Sequence, residues 1–220
     1  MQSRYSRSID SLPWNVTLGI VNIHGVDIAS LQPALTALAA SVVSGEQDNR
    51  EVLVRRMRAF ESFFAANNCR SPLGPQFEAM QRKEAPRGSG LVQALLLLEM
   101  STGLLMGAQD AAAIKGELLY DVAMQGETFR GMRNEVQCHE GELVLRDSEG
   151  IIAGLFQGPD HRTRLKKETK DVIFFVFSVP GIAANEVQEG VEAVRVLFKS
   201  ACAELSAQLC ENGTPSLKEK

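Results

Sequence analysis

The chain has 220 residues, 45% of them hydrophobic and 23% charged, with a net charge of −4. These values fit a globular chain large enough to bury a core without a metal or disulfide, and they exclude a mostly disordered, collagen-like or disulfide-scaffold protein. A net acidic chain is not histone-like, so any contact with nucleic acid falls to a local patch.

The opening MQSRYSRSIDSLPW has no apolar h-region, so no signal peptide is expected and the reading is cytoplasmic. The most apolar stretch, residues 91–100, carries Gln93 and Glu99 and is far shorter than a membrane span, so no membrane contact is expected. Cys69, Cys138, Cys202 and Cys210 are dispersed, as are His24, His139 and His161. No metal site or cofactor is expected, and the thiols read as free in a reducing compartment.

In chain order, residues 16–26 alternate and are rich in Val and Ile, which predicts a strand. Asp27 then precedes Ile28, Leu31, Leu35, Leu38 and Val42, a helical spacing that stops at Gly45. A second helix is predicted over 50–66 with Leu53, Met57, Phe60 and Phe64 as its apolar stripe. Arg55, Arg56 and Arg58 fall off that stripe and read as a solvated face or as an RNA contact. Pro72, Gly74 and Pro75 mark a loop, and a short helix follows with Phe77 and Met80 inside. Residues 84–90 form a turn cluster and a candidate linker, and 91–102 read as a buried helix.

After Gly103 the pattern becomes strand-like, over 117–123, 142–146, 151–156 and 171–179, with residues 147–150 as a hairpin connection. A long helix is predicted over 185–211, capped by Asn185 and lined by Val187, Val191, Val194, Phe198, Ala201, Leu205 and Leu209. The fold class is α+β, with a central, mostly antiparallel sheet built chiefly from 116–179 and helices before and after it. One domain spans 1–220: an N-terminal strand and helices over 14–102, a strand-rich half over 103–180, the helix over 185–211 and a loose tail over 212–220.

No G-x-S-x-G, P-loop or G-x-G-x-x-G is present. Trp14 and the ten Phe form no RNP-like pattern and read as core. One segment stands out. His161-Arg-Thr-Arg-Leu-Lys-Lys-Glu-Thr-Lys170 carries five Arg or Lys in ten residues, between Phe156 and an apolar strand. It reads either as a solvated loop or as a phosphate contact through Arg162, Arg164, Lys166 and Lys167, with Thr163 and Thr169 beside the ligand.

The second half carries an ordered set of short motifs. Leu105-Met-Gly-Ala-Gln-Asp110 is followed by Ile114-x-Gly116, Ala123-Met-Gln-Gly-Glu127, Gly141-Glu-Leu-Val-Leu-Arg-Asp147 and Arg162-Thr-x-x-x-x-x-Thr-Lys-Asp-Val172. In that order and spacing the chain resembles the editing domain of the phenylalanyl-tRNA synthetase beta subunit, the B-three/B-four domain, in its free-standing form. The resemblance covers roughly residues 91–177.

The resemblance implies an α+β unit that binds aminoacylated tRNA and hydrolyses the ester of a misacylated one, in a cleft and without a covalent nucleophile. By position it implies a substrate contact at Gly107, where the synthetase has a His, an acidic residue at Asp160, and a threonine at Thr169. Gly158, His161 and Thr163 complete the expected site, with Asp160, Thr163 and Thr169 as its catalytic side chains. An activated ester needs positioning and an oxyanion contact more than a strong nucleophile. For single residues a plain alternative stands: Asp160 closes a turn after Pro159, and Thr169 ends a strand. The chain has Val92-Gln-Ala-Leu-Leu96 where the family commonly has Val-Asp-x-x-Asn. Two further readings are a catalytically silent RNA-binding module and a small-molecule or partner-binding protein on the same fold.

Overall fold

The protein is described from a computed structural model, which covers residues 3–6, 9–45, 50–82, 84–86, 88 and 90–211, with backbone alone at 3–5, 11 and 80. The expected tail 212–220, Arg87 and Ser89 of the turn cluster, and the Met80 side chain lie outside the described residues.

The first half runs β1 (Ser3–Tyr5), β2 (Thr17–His24), α1 (Ile28–Ser44), α2 (Arg50–Ala66), α3 (Leu73–Gln81) and α4 (Gly90–Thr102). The second runs β3 (Met106–Asp110), β4 (Leu118–Val122), β5 (Thr128–Arg130), β6 (Glu135–Gln137), β7 (Leu143–Asp147), β8 (Gly150–Gly154), β9 (Gly158–Pro159), β10 (Val172–Phe177), α5 (Ala184–Phe198) and β11 (Glu204–Glu211). The α+β class holds, but the strands form two larger sheets rather than one. One has the order β1-β4-β7-β8-β9 and the other β11-β2-β10-β3, while β5 and β6 form a separate ribbon. All pairs are antiparallel except β1 with β4.

Strand β10 explains the layering. All six of its residues are buried, so both of its faces are covered. Phe174 meets Phe198 of α5 on one face, while on the other Phe177 lies 6.4 Å from the Tyr120 ring of β4. One hydrophobic cluster therefore runs from the helices through this sheet to the other. Helix α5 crosses the sheet closely because glycine faces it on both sides. A Cβ on Gly19 of β2 would overlap Val191 Cγ2, and one on Gly190 would come within 2.8 Å of Leu104 and Val176.

Local chemistry sets several boundaries as the sequence predicts. The Asp27 carboxylate accepts from the Ala29 and Ser30 amides and caps α1, and Gly45 at φ 72° ends it. The chain end departs from expectation. The helix stops at Phe198, and 204–211 form an edge strand paired with β2, from Glu204 opposite His24 to Glu211 opposite Thr17. The spacing of Ala201, Leu205 and Leu209 fits a helix, but Leu205, Ala207 and Leu209 also alternate as a strand does, and the open edge of β2 supplies the partner. The helix also begins one residue before Asn185. Glu186 reaches back to the Ala183 amide at 3.1 Å and closes its first turn.

Arg56 is a second departure. It is buried on α2, with Nε 2.8 Å from Glu186, a further ion pair to Glu189 and a hydrogen bond to the Thr102 carbonyl at 3.1 Å. It joins α2 to α4 and α5 rather than facing solvent.

Candidate nucleic-acid interface

The basic segment is a loop from Asp160 to Asp171 that connects β9 to β10. Buried side chains fix its shape. Asp160 accepts from the Thr163 amide at 2.8 Å and the Arg162 amide at 3.2 Å, and the Thr163 hydroxyl lies within hydrogen-bond reach of both Asp160 and Gln109. Gln109 in turn donates to the Ile152 carbonyl at 2.9 Å, so this cluster joins β3, β8 and the loop. Further on, Thr169 donates to Asp110 at 3.1 Å while its oxygen accepts from the Lys166 amide at 3.0 Å. Asp171 accepts from the Gly25 amide at 3.0 Å, which ties the loop's end to the chain just beyond β2. Asp160, Thr163 and Thr169 thus share one loop but bond in two separate groups, each satisfied from within the protein.

The other expected site residues are spread out. Gly107 pairs with Phe175 across β3 and β10, and a Cβ there would meet the Phe177 ring at 3.3 Å, so that ring covers it. Gly158 has φ 76° with open space beside it, a conformation that suits glycine. Arg162 turns inward. Its guanidinium holds the Asp147 carboxylate at 2.8 and 2.9 Å and the Ala113 carbonyl at 2.7 Å. His161, Lys166 and Lys167 are exposed, and Arg164 is half-buried with its guanidinium against the His161 ring and carbonyl. Of the departures from the family motif, Gln93 donates to the Pro86 carbonyl at 3.4 Å and Leu96 is half-buried in α4.

A neighbouring element extends the basic loop, and the sequence reading missed it. The β5–β6 ribbon docks where Gly131 bridges to Asp160 and the His161 amide donates to the Arg130 carbonyl at 2.8 Å. That contact sets exposed Arg130 beside exposed His161, with exposed Arg133 three residues further along the ribbon and Arg164, Lys166 and Lys167 further along the loop. The ribbon has its own small core of Ala123, Phe129, Cys138, Val144 and Ile151. At its base Arg146 holds Asp121 at 2.8 Å and Glu127, fixing the turn that leads into β5. Desolvation and the nearby Glu142 and Glu127 carboxylates push the Cys138 thiol up to about 11, so it stays protonated at neutral pH. The sequence held one usable signal, the paired arginines of Arg130-Gly-Met-Arg133.

One other feature involves residues of neither the loop nor the ribbon. An open groove of about 630 Å³ runs along α2, lined by Arg50, Glu51, Val54, Arg55 and Arg58, with Arg55 tied to the Gly181 carbonyl and Glu186. Among the described residues, no group of three or more His, Cys, Asp or Glu side chains is arranged to hold a metal, and no helix is long and apolar enough to cross a membrane.

No protein-family model and no curated protein matches the chain. Among solved structures it is similar to an N-terminal fragment of the phenylalanyl-tRNA synthetase beta subunit from Pyrococcus horikoshii, at 14% identity and a TM-score of 0.49. The match covers 96% of this chain and 54% of that one, so the chain spans about half the length of the structure it matches.

Proposed function

We propose that this chain binds tRNA, gripping its phosphate backbone with the basic surface formed by loop 160–171 and the β5–β6 ribbon. The observation that carries this reading is the backbone hydrogen bond from His161 to Arg130, which joins the basic loop to a ribbon that carries Arg130 and Arg133. On a chain of net charge −4, the loop and the ribbon together carry Arg130, Arg133, Arg164, Lys166 and Lys167 against exposed Glu135 and Glu168, and the Arg164 guanidinium lies 3.2 Å from the His161 ring. Cations so grouped displace condensed counterions from a phosphate backbone, which is the main source of sequence-independent affinity. The choice of tRNA rests on the ordered motifs from Leu105 to Val172.

Hydrolysis of a misacylated tRNA is the finer reading, with Asp160, Thr163 and Thr169 as its side chains. The geometry supports binding better. Asp160 and Thr169 are 5% exposed and Thr163 is 0% exposed, and their polar atoms are engaged in holding the loop. A general base must reach the water it activates, and a carboxylate turned into its own loop does not.

Binding of fluorescent tRNA across a salt titration tests the reading. The double variant Lys166→Ala, Lys167→Ala should bind more weakly, with the log–log salt slope reduced by about one per lost contact. A slope equal to that of wild type would make the loop a solvated face. Absence of tRNA binding at low salt would favour a small-molecule or protein partner. Release of an amino acid from misacylated tRNA faster than in buffer would restore the hydrolytic reading.

A further inference from the structure

We infer that Met132, at the tip of the β5–β6 ribbon, is an apolar wedge that stacks against an unpaired base where an RNA duplex ends. The inference rests on the binding reading above and adds what kind of RNA site is chosen. Met132 is 49% exposed, while the ribbon's other apolar residues, Phe129 and Val136, are turned into its core. Arg133 follows it directly and Arg130 lies two residues before it, both exposed. A large apolar side chain is therefore held out between two cations.

The tip is rigid enough to act in this way. Gly131 is buried and bridged to Asp160, and it is closely packed: a Cβ there would sit 3.2 Å from the Asn134 carbonyl and from Val136. The bend is fixed at that point, and the next residue projects outward. Beneath it, Phe129 is buried in the ribbon's core and the His161 amide holds the Arg130 carbonyl. Little ordering entropy remains for a ligand to remove.

The chemistry selects the occupant. One methionine is too small for a protein interface, which needs roughly 800 Å² from each partner. A single base offers a flat π-face that one thioether can lie against, and sulfur–aromatic contact is favourable. The arginines on either side match the phosphates that flank such a base. Apolar side chains, methionine included, serve as wedges between bases in other nucleic-acid complexes. A continuous A-form duplex keeps its bases stacked, so the wedge gains its contact at a junction, where the first unpaired base leaves the stack without breaking a pair.

The test uses the full chain and two RNA probes with the same stem. One is blunt-ended; the other carries a single-stranded 3′ end whose first unpaired base is 2-aminopurine, which brightens when unstacked. Wild type should prefer the overhang probe and raise its fluorescence. Met132→Ala should lose the fluorescence rise and about fivefold in affinity for that probe, while blunt-duplex affinity stays unchanged. Met132→Leu should keep both. Lys166→Ala, Lys167→Ala should weaken both probes alike and keep the rise at saturation. Equal behaviour of wild type and Met132→Ala on both probes overturns the wedge and leaves the phosphate grip standing. If wild type binds neither probe, the binding reading fails and the wedge fails with it.

Discussion

One terminal nitrogen of Arg162 reaches both carboxylate oxygens of Asp147, at 2.9 and 2.8 Å. The Asp147 side chain is fully buried and also accepts from the amides of Lys115 and Glu149. The pair fastens the basic loop to the hairpin between β7 and β8 and gives Arg162 a different task from its neighbours. Arg162→Ala leaves a buried carboxylate without its cation and should cost about 3 kcal/mol in urea unfolding. Once folded, the variant should keep nearly the wild-type salt slope for RNA, in contrast to the lysine pair. A large fall in slope with unchanged stability would return Arg162 to the phosphate contacts.

Glu99 predicts a pH dependence. It is buried in α4, accepting from the Met106 amide at 3.0 Å and from Gln76 at 2.6 Å, and desolvation pushes its carboxyl up to about 7 from an ordinary value of 4.5. The folded state thus holds the proton more tightly than the unfolded chain. The stability this contributes is fully present below pH 4.5 and is lost as pH rises through about 7. Glu99→Gln stays neutral throughout. Its urea midpoint should match wild type in acid and exceed it above neutrality, by about 2 kcal/mol in unfolding free energy. A gap that does not change with pH would show that Glu99 does not titrate in this range.

The packing of α5 on the sheet gives a third expectation. Gly19→Ala and Gly190→Ala each force a methyl group into Val191, or into Leu104 and Val176. Each should lose about 1–3 kcal/mol in urea unfolding. Adding Val191→Ala to Gly19→Ala should recover part of the loss, because the two changes share one space. Additive costs would mean that the helix shifts as a body.

These particulars mark how far the sequence could be read. Periodicity located α1 and α2, each with its apolar residues on one helical stripe, and nearly unbroken apolar runs located α4 and β10. Apolar patterning missed β3, because Met106 and Ala108 are the only apolar side chains in its five residues, and the burial of Gln109 rests on a distant partner, the Ile152 carbonyl. It carried the last helix into β11, because Leu205 and Leu209 satisfy two periods and the open edge of β2 decides between them. In the candidate site, the charge run gave the loop but not the inward turn of Arg162, which depends on Asp147 fifteen residues earlier. The docking of the ribbon on Asp160 was also out of reach. It rests on backbone hydrogen bonds between segments about thirty residues apart, and no side-chain pattern records them.

Asp160 is the residue on which the binding and hydrolytic readings differ most. It accepts from two amides and from Thr163, and its own amide donates to Ile152 at 2.8 Å. Asp160→Ala removes those acceptors and should cost about 2–3 kcal/mol, with faster hydrogen exchange at residues 162 and 163. Because the same residue bridges to Gly131, the ribbon should loosen too, and RNA affinity should fall although no phosphate contact has been removed. Asp160→Asn keeps one acceptor oxygen and should retain much of the stability. The same two variants separate structure from chemistry. A carboxylate needed to activate water is lost as fully in the Asn variant as in the Ala variant, whereas a carboxylate needed to hold the loop is largely replaced by the amide. The expected result is that RNA affinity follows stability through the series wild type, Asn, Ala. A deacylation rate present in wild type and lost in the Asn variant at unchanged melting temperature would place Asp160 in the reaction instead.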